Sequence, residues 1–593
     1  MTTPHLGLAL SGGGFRASFF HIGVLARMAE LDLLRHVEAL STVSGGSILG
    51  VLYYLKLKNL LESKTDDAIT QQDYLKLVAE LETEFLTAVQ KNLRVRTFSS
   101  IWHNLKMMLP SYSRSDRIGE LYDKYIYRPV WRGDRDTPIM MNELKIFPKT
   151  GSGELDTAFN PTQGHNESRR NKIPVLNINS TVLNTGHDWR FTAVDMGEVL
   201  HDTELENNID KNTRLLKARY ENICGRASSF HLGKAVAASA GVPGIFPPLS
   251  IHNMYPSIRD HKPTVVQLVD GGVYDNQGIA TLQQGAVPCE RMIVSDASGQ
   301  MRDQYNPGTG TLSVFMRTTD VLMGRVREEM LTSTLQHNSA NVGLMHLTEG
   351  LPVRFQKPRS KDCETLTDPR VDVPDPVPQL NKDMRGLLSR VRTDLDSFSD
   401  VESECLMAYG HALAKAEVDA VAKPWGITHE ENGDWPFARV TPWLEHPDQG
   451  PKSLSAQLEA AHQKFGKAFR LALNNLPAFL GALALFLIGL AILLAVICVV
   501  AKQFTPDPIA ALLDWLKSYT ALDLIKLGLI ALAVYLLGKL GDAFKYLRYF
   551  ANIRSAIVKI LVQASIAIIF AIPLKIYLWT LDKYYLLQGR VKQ

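Results

Sequence analysis

Residues 5–10 make a short apolar run that ends in Ser11-Gly12-Gly13-Gly14, and residues 15–33 then carry Phe19, Phe20, Ile22, Leu25 and Met28 at helical spacing. The alternation repeats at once: residues 37–43 read as a strand and residues 45–57 as a helix. Strand, loop and helix in succession predict an α/β fold, a parallel-type central sheet with helices on both faces. From 61 to about 130 the pattern is helical and amphipathic, with Leu75, Leu77, Leu81, Phe85 and Val89 on one stripe. Inside it lies an apolar cluster, Ile101, Trp102, Leu105, Met107, Met108 and Leu109, expected to pack as part of an insertion; a membrane-facing lip is the other reading. Residues 151–171 are polar loop. Strand character returns at 173–180, with a hairpin expected at Asn184-Thr185-Gly186, and again at 265–269, 292–294 and 342–347. Residues 358–380 read as a proline-rich surface loop, and residues 382–421 as helix.

The C-terminal part has a different pattern. Residues 424–452, with Trp425, Trp435 and Trp443 among prolines and acids, read as a linker. An amphipathic helix follows, ending in Lys464, Lys467 and Arg470, cations that an anionic cytoplasmic leaflet would attract. Residues 471–501 then run without a single charge, and at about 1.5 Å per residue such a helix exceeds a bilayer core of about 30 Å. Two weaker candidates follow at 519–541 and 560–581, separated by a basic stretch with Lys539, Lys545, Arg548, Arg554 and Lys559. Residues 453–593 are thus expected to hold a juxtamembrane helix and two or three transmembrane helices.

Composition adds limits rather than a function. The chain has 593 residues, too many for one ordinary core, and 21% charged against 46% hydrophobic residues suits a folded protein. A net charge of +3 offers no nucleic-acid surface. The five cysteines are widely spaced, which predicts free thiols in a reducing compartment, and no zinc-type spacing occurs. The N-terminus lacks a basic segment followed by a long apolar stretch, so an integral membrane protein with its N-terminal domain in the cytoplasm is expected.

Three short motifs carry chemistry. The glycines of Ser11-Gly12-Gly13-Gly14-Phe15-Arg16 let backbone N–H groups face an anion at a helix N-terminus, a phosphate or a tetrahedral oxyanion. The Gly-Lys-Ser/Thr ending of a phosphate-binding loop is missing. Thr42-Val43-Ser44-Gly45-Gly46 has the look of a nucleophile elbow, with Ser44 on a strand-to-helix turn, although Thr42 stands where a glycine is usual. Ser41 and Ser47 are expected to be structural. Val269-Asp270-Gly271-Gly272, followed by Asp275-Asn276, ends a strand and aims a carboxylate at the crevice where parallel sheets hold their sites.

In combination these motifs resemble the patatin-like phospholipase family. The resemblance extends to residues 177–192 and to 235–248, where Ala237-Ala238-Ser239-Ala240-Gly241-Val242-Pro243-Gly244 is similar to a stretch typical of the family, and covers roughly residues 5–300. Arg392-Thr393-Asp394-Leu395 looks like the end of long bacterial members. The resemblance implies a Ser–Asp dyad without histidine: Ser44 as nucleophile, Asp270 as general base, the N–H groups of Gly12, Gly13 and Gly14 as oxyanion hole, Arg16 ordering that loop, and Gly46 and Gly271 in support. His21 is then expected to be a packed structural residue. No cofactor and no metal are implied. The expected organisation is a catalytic domain over 1–423 with a helical insertion at about 61–130, the linker at 424–452 and the membrane part at 453–593, the last outside the resemblance. The implied activity is release of fatty acid from membrane phospholipid or lysophospholipid at a bilayer, through an acyl-enzyme. A transacylase or neutral-lipid lipase, and a non-catalytic lipid-binding scaffold, are the alternatives.

Overall fold

The computed structural model describes residues 4–591 except 110, 200–208, 257–263, 299–300, 302, 355–369, 372, 427–430, 464–465, 473–474 and 502–570. The chain divides into two units: Met1–Arg94, Ser113–Asn474 and Tyr585–Gln593 form one, and Val95–Tyr112 with Asn475–Tyr584 the other.

The first unit is built on a ten-stranded sheet. Strands β1 (Leu6–Leu10), β2 (Val37–Val43), β3 (Val175–Val182), β9 (Arg291–Asp296) and β10 (Val342–His346) pair in parallel in the order β10-β9-β1-β2-β3. Beyond β3 the sheet is antiparallel, through β4 (Asp188–Phe191), β5 (Asp195–Glu198) and β6 (Ala218–Arg219). The sheet is therefore mixed, not parallel throughout. The reason is local: the expected hairpin after β3 forms, with Gly186 at φ 86°, and a tight hairpin can join only antiparallel neighbours. Two further strands, β7 (Leu249–Tyr255) and β8 (Thr264–Asp270), pair with each other, and β8 pairs with β3.

Helices cover both faces. Leu6, Leu8 and Leu10 of β1 point into the larger core with α1 (Gly14–Glu30), α2 (Gly45–Ser63), α3 (Gln71–Val89) and the helix Asp400–Ala422. Ala9, which alternates with them, points to a smaller core with Ile279, Leu282 and Met292, against Leu331 and Leu335 of the helix Thr311–Asn338. The stretch 382–421 is not one helix but two, Lys382–Ser389 and Asp400–Ala422, the second opened by a Ser399–Glu402 capping box. Strands β5, β6 and β7 and the helix Thr311–Asn338 lack a sequence pattern strong enough to have been predicted.

Several C-terminal expectations change. Residues 424–452 do not form a free linker: Trp435 and Phe437 are buried, their rings stack 6.0 Å apart, and Trp435 Nε1 donates to Glu30 Oε1 at 2.6 Å. The amphipathic helix is broken into Leu454–Ala460 and Lys467–Arg470, because Gly466 takes a left-handed conformation at φ 68°. Lys467 is not on a surface. It is buried and donates to Asp396 at 2.9 Å. Tyr585 and Val591, near the end of the chain, are buried in the first unit, and Val401 N–H donates to the Gly589 carbonyl at 3.0 Å.

In the second unit the helix Leu476–Ala501 is long and apolar enough to cross a membrane, with mean hydropathy 2.6 over Leu476–Leu493. The candidate at 519–541 and most of that at 560–581 lie outside the described residues, as does the basic stretch between them. The cluster at 101–109 does not pack as a buried insertion: Trp102 is 74% exposed and Leu109 56%.

The tightest helix contact sits beneath the glycine loop. A Cβ at Gly23 of α1 would overlap the Met407 carbonyl, and one at Gly410 the Phe20 carbonyl, so α1 and Asp400–Ala422 meet backbone to backbone. Alanine favours an isolated helix by roughly 0.8–1 kcal/mol over glycine. Here overpacking dominates, and Gly23→Ala is expected to destabilise the first unit by about 1–3 kcal/mol, read as a lower midpoint in urea unfolding.

Candidate active site

Strand pairing brings the two strongest motifs together. Residues 175–179 of β3 pair with β2, ending at Val43↔Asn179, while residues 180–182 pair with β8, beginning at Ser180↔Asp270. Because 178–181 are already paired with β4 on the other edge, β2 and β8 must share one edge of β3, end to end. Their C-termini face each other there, with Ser44 leaving one strand and Asp270 closing the other. The Ser44 hydroxyl lies near enough to the Asp270 carboxylate to favour its charged form.

Ser44 sits at φ 50°, ψ −117°, a conformation a side chain enters only when its surroundings impose it. Here they do so with backbone. Cβ atoms at Gly45 and Gly46 would overlap the carbonyls of Gly14 and Leu10, so only glycines let α2 begin against the glycine loop. Gly46 N–H donates to the Ser11 carbonyl at 3.1 Å. Ser44 N–H donates to Ser239 Oγ at 3.0 Å, and Ser239 is tied through Ser47 (2.8 Å) to Thr42 (3.0 Å). Thr42, in place of the usual glycine, is accommodated because its methyl occupies the space a Cβ on Gly50 would need. Ser41 donates to the Gly278 carbonyl at 2.7 Å. Both neighbouring serines are buried in structural roles.

Asp270 is 4% exposed, and its Oδ1 accepts the Gly272 N–H at 2.8 Å. Burial drives its pKa up to about 6 against the opposing effect of the bonds from Gly272 and Ser44. A Cβ at Gly271 would crowd the Asn179 carbonyl, which keeps the turn close to β3. The Tyr122 ring is fully buried; burial first and the Asp270 charge second push its pKa up, so it stays a phenol.

The glycine loop is partly committed. Gly12 N–H donates to the Asn276 carbonyl at 3.0 Å, and Phe15 N–H to the Asp394 carbonyl at 3.0 Å. Of the three glycine N–H groups expected to receive an oxyanion, Gly12 is therefore already satisfied. Gly13 (φ 138°) and Gly14 (φ 59°), at the uncapped start of the 17-residue helix α1, have no protein acceptor for theirs among the described residues. Arg16 braces the loop from behind, donating to the carbonyls of Ala297 (2.9 Å) and Val391 (2.8 Å). His21 is fully buried between Ser295 Oγ (2.6 Å) and the Ser11 carbonyl (3.0 Å), and burial lowers its pKa to about 4. It is neutral at pH 7 and packs between those two partners.

Asn276, Ser239 and Asp394 were not singled out from sequence as parts of the site. Asn276 was signalled only by following the Asp270-Gly271-Gly272 turn; its Oδ1 fills the space between Gly12 and Gly272. A cavity of about 930 Å³ lined by Tyr54, Phe159, Asn177, Arg190 and Asp195 lies elsewhere and includes neither Ser44 nor Asp270.

A family model described as patatin-like phospholipase matches residues 8–282, a span that holds the glycine loop, the elbow and the Asp270 turn. No curated protein matches the chain. A solved structure, human GIVD cytosolic phospholipase A2 in complex with methyl gamma-linolenyl fluorophosphonate inhibitor and terbium chloride, matches at 12% sequence identity and a TM-score of 0.34, over 71% of this chain and 59% of that chain. The chain thus spans less than two thirds of that protein's length.

A carboxyl takes a proton only when ionised, and Asp270 is ionised above about pH 6. The rate at which a fluorophosphonate modifies the Ser44 hydroxyl is expected to rise through about pH 6 and level off above it. A flat profile between pH 5 and 8, followed by intact-protein mass spectrometry, would remove Asp270 from the role of base.

Proposed function

Residues 8–282 form a patatin-like phospholipase domain, a lipid acyl hydrolase fold, and from that premise we propose that the chain is a membrane-anchored serine hydrolase releasing fatty acid from glycerophospholipid or lysophospholipid. The observation that carries this reading is the strained backbone of Ser44 together with the strand pairing that brings the Asp270 carboxylate beside it. Asp270 takes the hydroxyl proton as Ser44 Oγ attacks the ester carbonyl. The N–H groups of Gly13 and Gly14 receive the developing oxyanion, where preorganised donors at a helix start serve best. The lysolipid or glycerol alcohol leaves with the proton from Asp270, and water repeats the sequence on the acyl-enzyme. Neither step needs a histidine.

The helix Leu476–Ala501 supports anchoring, with the exposed Trp102 and Leu109 suited to the interfacial layer. Because residues 585–591 are packed within the first unit, a chain that enters the bilayer after Asn475 returns to the same side before Tyr585. On this reading two crossings are favoured over three, with the catalytic domain and residues 585–591 both on the cytoplasmic side.

Ser44→Ala and Asp270→Asn are each expected to lower fatty-acid release from phospholipid vesicles by about 10³-fold or more, and Ser44→Ala to abolish fluorophosphonate labelling. Release that survives both changes would leave the dyad without a role; labelling without release would favour a transacylase. A cysteine added after Gln593 is expected to resist impermeant maleimide in right-side-out vesicles and to react once they are opened. Reaction in sealed vesicles would rule out two crossings.

A further inference from the structure

The glycine loop is held by a part of the chain outside the phospholipase domain. Asp394 presents its carbonyl to Phe15 N–H, and a Cβ at Gly14 would run into the Asp394 backbone, so this residue is the wall behind the N–H groups of Gly13 and Gly14. Its neighbour Phe398 meets Phe15 edge-on at 6.3 Å and Phe19 at 5.5 Å. Residues 392–399 thus grip the first turns of α1 from backbone and side chain alike.

That segment is held in turn by buried charge. Arg392, fully buried, donates to Asp396 (2.8 Å), to Glu402, to the Ser397 carbonyl (2.7 Å) and to the Ala461 carbonyl (2.9 Å). Lys467 donates to Asp396 (2.9 Å) and Ser397 Oγ (2.9 Å), with its ammonium 4.3 Å above the ring of Tyr585. Arg94 pairs with Asp394 and gives its N–H to the Leu395 carbonyl at 3.0 Å. Past Tyr585, Gly589 and Val591 bond to Val401 and Asp400. Burying two cations and two carboxylates is costly unless each is matched, and here each is. Such a cluster fixes geometry more than it adds stability.

We propose that residues 392–399 position the oxyanion loop, and that Lys467 and the chain end from Tyr585, the stretches on either side of the second unit, hold them in place. The proposal rests on the Ser44–Asp270 reading and adds a positioning role for Asp394, Arg392 and Lys467. Anchoring and catalysis are then linked: the segments that lead to and from the apolar helix also set the N–H groups that meet the oxyanion. A displacement near 1 Å at a reacting centre can cost on the order of 10²-fold, so partial loosening is expected to cost about tenfold.

The full-length protein in phosphatidylcholine vesicles provides the test, with Asp394→Asn and Lys467→Met. Each is expected to lower kcat about tenfold, to leave KM within about twofold, and to weaken inhibition by an alkyl boronic acid, a tetrahedral mimic, by the same factor as kcat. The thermal midpoint of Asp394→Asn and the ionisation of Asp270 near pH 6 should stay, whereas Lys467→Met is expected to lower the midpoint. Asp394→Asn preserves size and backbone, so it decides the matter if Lys467→Met unfolds. An unchanged kcat in folded Asp394→Asn protein, or a rise in KM alone, would overturn the proposal. Wild-type protein that releases no fatty acid in a Ser44-dependent way would instead sink the parent reading, before any variant at 394 or 467 is compared.

Discussion

The structure depends on how one edge of β3 is divided between two strands. β2 uses that edge as far as Asn179 and β8 takes it from Ser180, so the pairing register alone sets Ser44 opposite Asp270. Neither residue could be moved by one position without losing the other, since a one-residue slip turns a side chain to the opposite face. Burial follows from the same division. The carboxylate at the junction lies under β3 and its turn, and desolvation raises its pKa toward the range in which it can both take and return a proton near neutrality.

Around that junction the chain is packed backbone against backbone. Gly45 and Gly46 touch Gly14 and Leu10, and the same loop is touched from the far side by Asp394. Contacts of this kind leave little room for adjustment, which is why a buried ion cluster at Arg392, Asp396, Glu402 and Lys467 can matter to two N–H groups it never touches. The span matched by the patatin-like model, residues 8–282, and the later part of the first unit belong to one compact body. A domain boundary drawn at the last strand of the sheet would cut it.

Much of this was legible in short windows of sequence. The glycine loop, the Ser44 elbow and the Asp270 turn are each dictated by backbone conformation, and backbone demands show up as glycines within a few residues. The uncharged stretch before Lys502 is equally local, since a bilayer asks only for length and apolarity. The hairpin after β3 was readable from Asn184-Thr185-Gly186 for the same reason. Its consequence, an antiparallel half of the sheet, was not drawn from it.

What only the tertiary structure decided is everything that joins distant segments. Lys467 read as a surface cation, because hydropathy cannot tell a solvated charge from one matched in the interior. Trp435, in a stretch rich in prolines and acids, read as linker and is core. Gly12 looked as available as Gly13 and Gly14 until the Asn276 carbonyl was seen to take its N–H. By itself the sequence determined where the three tight turns that carry Gly12–Gly14, Ser44 and Asp270 fall. The fold decided which are brought together, because that rests on strand register and on matched buried charges, and neither leaves a periodic trace along the chain.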